Sequence, residues 1–189
     1  PNRYPEADQS YLLKNESKGN NVKFVPVQAE SLASLGIVTS SVWHDINQDG
    51  WLDLIVAGEL MPITILENQK GKLVDKTEAY HLAKSHGIWS KILLEDMDND
   101  GDMDVFTASG DSKAGLIAMY ENKGKGVFAP MQIIQQISNY FKGVYVNTAD
   151  VDNDGDLDVL GVLGYGTKHW VSGGGGGFPQ SNSADDVLR

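Results

Sequence analysis

The sequence predicts an all-β chain of propeller-type blades, each of four antiparallel strands, on three observations. A nine-residue acidic loop occurs three times, as Asp45 to Asp53, Asp96 to Asp104 and Asp150 to Asp158. The loop starts are 51 (45 to 96) and 54 (96 to 150) residues apart, and Asn15, Asn68 and Asn122, each closing an apolar run, keep nearly the same step. Between the loops lie short β-branched and apolar runs cut by Gly and Asn, which read as strands and turns. A period near 50 with four short strands is what one blade requires, because each blade is a small antiparallel sheet packed on its neighbours.

Residues 1–10, with two prolines, read as an irregular lead into the chain. Tyr11 to Asn15 and Val22 to Val25 follow as two strands around a polar turn, so residues 1–35 read as a partial blade. The next blade spans 36–85. Its strands are Ile37 to His44, Leu52 to Ala57, Ile63 to Asn68 and Lys72 to Asp75, with the first acidic loop between the first two. The third unit, 86–140, repeats the order with Ile88 to Glu95, Val105 to Ala108, Leu116 to Asn122 and Val127-Phe128. The last, 141–189, runs through Val144 to Ala149, Val159 to Leu163 and Lys168 to Val171, with Gly173 to Gly177 as a turn and the tail as a weak strand or frayed end.

Counting backward, the loop of the Tyr11 unit falls before residue 1, which gives an expectation of about three and a half blades. Propellers usually close with four to eight. The chain is therefore expected to be part of a larger ring, to be completed by another chain, or to stack as an open array. Its start at Pro1 fits a processed or excised segment.

The net charge is −11, and half of the 26 acidic residues lie in the three loops. Three divalent cations would cancel more than half of that excess. Acid concentrated at sites argues against nucleic acid and anionic membrane as partners, since both require a basic face. There is no cysteine, so neither disulfides nor thiolate chemistry are available. No apolar run approaches the roughly 18 residues of a membrane span.

The loops have the chemistry of a calcium site. Calcium takes six to eight oxygen ligands, and a tight loop supplies them by turning alternate side chains inward. Positions one, three, five and nine are Asp45, Asn47, Asp49 and Asp53 in the first loop, and Asp96, Asp98, Asp100 and Asp104 in the second. In the third they are Asp150, Asp152, Asp154 and Asp158. Position seven would give a backbone carbonyl, from Trp51, Asp102 and Asp156, and glycine at position six permits the positive φ of the turn. Without a cation, unit charges about 4 Å apart repel by about 4 kcal/mol at an effective dielectric of 20. About three Ca2+ ions are therefore expected, with the first loop binding more weakly because Asn47 replaces a carboxylate. An EF-hand closes with Glu at position twelve, where this chain has Val56, Thr107 and Gly161 inside strands. A thrombospondin-like array depends on cysteines, which are missing.

The motif Asp-x-Asp/Asn-x-Asp-Gly-x-x-Asp is followed by a third strand ending in Glu-Asn, as Leu66-Glu67-Asn68 and Tyr120-Glu121-Asn122, and by a Gly/Phe turn. This order resembles the FG-GAP/VCBS repeats of integrin α-subunit-like propellers, over residues 11 to about 180. The resemblance implies calcium loops that join the first two strands of each blade on one rim. No unit carries a full Phe-Gly-Gly-Ala-Pro signature; only Phe128-Ala129-Pro130 and Phe178-Pro179 approach it.

No catalytic motif is present: His44, His81, His86 and His169 form no paired metalloprotease motif, and there is no Gly-x-Ser-x-Gly elbow. Trp43, Trp51, Trp89 and Trp170 read as blade packing ahead of a sugar-binding rim. The expected function is a non-enzymatic calcium-binding module of an extracellular or cell-surface protein, acting in adhesion, ligand binding or structural assembly. Its partner is expected to be a protein, a carbohydrate or further blades. The alternative is the scaffold part of a secreted propeller enzyme such as a polysaccharide lyase. Placement outside the cell follows from the millimolar calcium found there. Asn15-Glu16-Ser17 is a glycosylation sequon if the source is a eukaryote.

Overall fold

The computed structural model describes residues 6, 7, 9–110, 114–138 and 144–163. The expected strand over Lys168 to Val171, the glycine run and the tail lie outside them. Twelve strands are described: β1 (Leu12–Asn15), β2 (Phe24–Val27), β3 (Ile37–His44), β4 (Asp53–Met61), β5 (Thr64–Gln69), β6 (Lys72–Asp75), β7 (Gly87–Glu95), β8 (Asp104–Gly110), β9 (Ala114–Tyr120), β10 (Gln132–Ser138), β11 (Val144–Ala149) and β12 (Asp158–Leu163). Every pairing among them is antiparallel, and the architecture is all-β and consistent with propeller-type blades. No helix among the described residues is long and apolar enough to cross a membrane.

The repeat unit is a four-stranded meander. β3, β4, β5 and β6 pair in chain order, and so do β7, β8, β9 and β10. β11 pairs with β12, and β1 with β2. The two complete meanders are not separate sheets, because the end of β4 pairs with the start of β7 through Glu59–Ile88 and Met61–Gly87. Side chains of the first strands extend that join. Thr39 Oγ1 donates to the Trp89 carbonyl at 2.6 Å, and the Ile92 N–H donates to Ser40 Oγ at 3.2 Å.

The fourth strand of the second meander lies later than the sequence implies. Phe128 makes only an isolated bridge to Asn122, and the strand proper is β10. Pro130 has no N–H to give to a ladder, and Phe128 is buried against the preceding unit, its N–H directed at the Tyr80 carbonyl at 3.4 Å. Side-chain burial therefore interrupts the edge before it resumes at Gln132.

Alternation along the second strand of each meander explains how the units stack. Side chains in a strand point to opposite faces in turn. In β4, Ile55 and Ala57 join a core with Trp89, Ile92, Val105, Tyr120 and Phe128 of the next unit. Leu54 and Val56 face the other way, onto Leu32 and the partly buried Leu12. In β8, Val105 belongs to the first of these cores, while Phe106 and Ala108 pack with Val146 and Val159. Each of the two complete meanders is thus covered on both faces of its second strand by neighbouring units, the arrangement of a stacked repeat.

Candidate metal centres

The three acidic loops join β3 to β4, β7 to β8 and β11 to β12. In each, the first aspartate accepts the N–H groups of positions five and six. Asp49 and Gly50 donate to Asp45 at 2.9 and 2.8 Å, Asp100 and Gly101 to Asp96 at 3.0 Å each, and Asp154 and Gly155 to Asp150 at 3.2 and 3.0 Å. Position five accepts the N–H of position seven in all three, as Asp49 from Trp51, Asp100 from Asp102 and Asp154 from Asp156. The backbone is left-handed at position four, with φ of 59° at Gln48, 58° at Asn99 and 60° at Asn153. It is again positive at Gly50, Gly101 and Gly155. The sixth position carries glycine for this reason.

The ninth aspartates are of another kind. Asp53, Asp104 and Asp158 are buried. Their Oδ2 atoms accept the N–H of position two, from Ile46 at 3.1 Å, Met97 at 3.2 Å and Val151 at 3.0 Å. The Oδ1 atoms of Asp53 and Asp104 accept the N–H of Asn68 and Asn122, both at 2.7 Å. These asparagines, which repeat in the sequence, are the hub of each unit. Asn68 and Asn122 also give Nδ2 to the position-eight carbonyls of Leu52 and Met103, and accept at Oδ1 from Gly71, and from Gly124 and Gly126. One residue type thereby fixes the loop, the third strand and the hairpin turn together.

Carboxylate oxygens of Asp96, Asp98 and Asp100 lie within 4.8 Å of one another, as do those of Asp150, Asp152 and Asp158. Asp104 is turned instead to its two backbone donors, Asp154 stands outside the second trio, and the first loop holds Asn47 among its aspartates. Burial raises the pKa of Asp53, with further pushes from Asp49 and Glu67, against the pull of its N–H partners. Asp104 is raised by burial and then by Asp98 and Asp100. Asp98 and Asp152, although exposed, are raised by lost hydration and by neighbouring carboxylates, Asp100 and Glu121 for the former and Asp154, Asp158 and Asp150 for the latter. Such sites resist negative charge unless a cation is supplied. The donor set is all oxygen, with no cysteine in the chain, and it fits a hard cation such as calcium.

Two further carboxylates act on the loops, Glu67 from within β5 and Glu121 from just past the end of β9. Glu121 is near enough to Asp98 to raise its pKa, and Glu67 acts likewise on Asp53. Glu121 also pairs with Lys123, and Glu67 accepts from Gln69 Nε2 at 2.7 Å and Tyr80 Oη at 3.1 Å. Their repeated place before Asn68 and Asn122 was the sequence signal for them. Tyr80 is held in turn by Gly126, where φ is +76° and an added Cβ would lie 2.0 Å from Cε1 of the ring. Gly126→Ala is expected to cost about 1–3 kcal/mol by overpacking, read from a urea midpoint; a change of a few tenths would contradict this packing.

The family profile described as FG-GAP-like repeat matches the chain twice, over residues 45–107 and 96–161. The chain belongs to the FG-GAP-like repeat family. Each of the two FG-GAP-like matches starts at the first aspartate of a loop and runs through the next loop into the strand beyond it. The repeat is thus bracketed by acidic loops, and adjacent FG-GAP-like matches share one. Comparison with curated proteins finds no match.

Proposed function

We propose that this FG-GAP-like chain is a calcium-binding module of an extracellular or cell-surface protein, acting in adhesion, ligand binding or structural assembly. Its role is to bind, not to catalyse. The observation that carries the reading is the convergence of three carboxylates within 4.8 Å in two separate loops, in a backbone geometry that the first loop repeats. The cations brace the turn between the first two strands of each unit. Asp45, Asn47, Asp49 and Asp53 would hold one with the Trp51 carbonyl. The second and third would take Asp96, Asp98, Asp100 and Asp104 with the Asp102 carbonyl, and Asp150, Asp152, Asp154 and Asp158 with the Asp156 carbonyl. Non-catalytic use is supported by the commitment of the first and ninth aspartates to backbone donors, which leaves them poorly suited to proton transfer.

Calorimetric titration of the chain with calcium tests the reading. Three ions are expected for the wild type and two for Asp100→Ala, with the remaining sites retained. Unchanged stoichiometry in the variant would remove the ligand assignment.

A further inference from the structure

Neighbouring acidic loops touch, and they do so twice at the same positions. Gln48, fourth in the first loop, donates Nε2 to Oδ1 of Asp102, seventh in the second, at 2.9 Å. Asn99, fourth in the second loop, donates Nδ2 to Oδ1 of Asp156, seventh in the third, at 3.0 Å. The residues of each pair are 54 and 57 apart in the chain. Neither amide belongs to the ligand positions of its own loop. Both sit at the left-handed apex of that loop, so the direction of each amide is set by whether the loop is in its closed turn.

We infer that Gln48 and Asn99 are positioning residues, each bracing the cation loop of the following unit, so that neighbouring cation sites fill cooperatively. The inference rests on the calcium reading given above. Position seven has two faces: its main-chain carbonyl is the one that would turn to the cation, and its carboxylate is held by the amide of the preceding loop. A cation in one loop orders that loop's apex and places its amide. The amide then holds position seven of the next loop, which needs that residue fixed in order to offer its carbonyl. Linkage makes the effect reciprocal, so a cation in the second loop also favours one in the first.

Terbium, which substitutes for calcium and emits when excited through a nearby indole, makes the first loop observable, since Trp51 is its seventh residue. In the intact chain, disabling the second loop by Asp100→Ala is expected to weaken Trp51-sensitised terbium binding about three- to tenfold, the range of one ordinary, solvent-exposed hydrogen bond. Asp98→Ala, which leaves the Asp100–Asp102 contact in place, should do the same and guards against a merely misfolded loop. In a Gln48→Ala background neither change should affect the first site, and Gln48→Asn, which places there the amide that Asn99 uses, should restore the dependence. A first-site affinity indifferent to Asp98→Ala, or a dependence that survives Gln48→Ala, would overturn the inference. Absence of saturable terbium emission in the wild type would instead overturn the calcium reading itself.

Discussion

Removal of calcium with excess EGTA is expected to lower the melting temperature of this chain by more than any single substitution. When free calcium is about 100 times the dissociation constant, each site adds roughly 2.7 kcal/mol, so three filled sites add about 8 kcal/mol. For a chain of this size that corresponds to a shift on the order of 15–30 °C. The physical source is visible in the loops. The carboxylates of Asp96, Asp98 and Asp100 converge, and the metal-free fold must hold their mutual repulsion and the lost hydration of Asp98 and Asp104. A cation converts that burden into attraction. A melt unchanged in EGTA would end the calcium reading.

Asp104→Ala is expected to give the second largest effect, and to give it in EGTA as well. Asp104 is wholly buried, and its two oxygens accept from Met97 and Asn122. Truncation leaves two N–H groups without a partner, at about 1–3 kcal/mol each, so a loss of about 2–6 kcal/mol follows with or without calcium. Asp104→Asn keeps one acceptor and removes a charge whose burial the fold opposes. Its deficit in EGTA should therefore be about half as large, while its calcium affinity falls. Asp100→Ala should differ from both, costing stability mainly when calcium is present. Urea melts of the three variants in calcium and in EGTA separate these cases. An Asp104→Ala deficit confined to calcium would assign that residue wholly to the cation.

Much of this was legible because the informative contacts are local. The spacing of the acidic positions, the glycine at position six and the strands on either side of each loop all fall within about a dozen residues, and the all-β class and loop placement follow from them. The repeated Asn68 and Asn122 marked the period correctly, although their role as hub depends on bonds to Leu52 and Met103 across a strand. What could not be read depends on stacking. The β4–β7 pairing, the displacement of the fourth strand from Val127-Phe128 to β10 and the contacts of Gln48 and Asn99 all depend on how one unit sits upon the next. Position four carries an amide in every loop, as Gln48, Asn99 and Asn153, and that regularity was on view without a partner to explain it.

The alternation along β4 and β8 means that no unit owns its core. The interior side chains of β4 and β8 are halves of seams, and each seam is completed by the neighbouring unit. Inserting or deleting one repeat would exchange like seams for like and leave the remaining interiors intact. Damage at Phe106, by contrast, opens one seam and spares the next. A molecule built this way can change its length in whole repeats, while its acidic loops, tied row to row through Gln48 and Asn99, keep a fixed spacing.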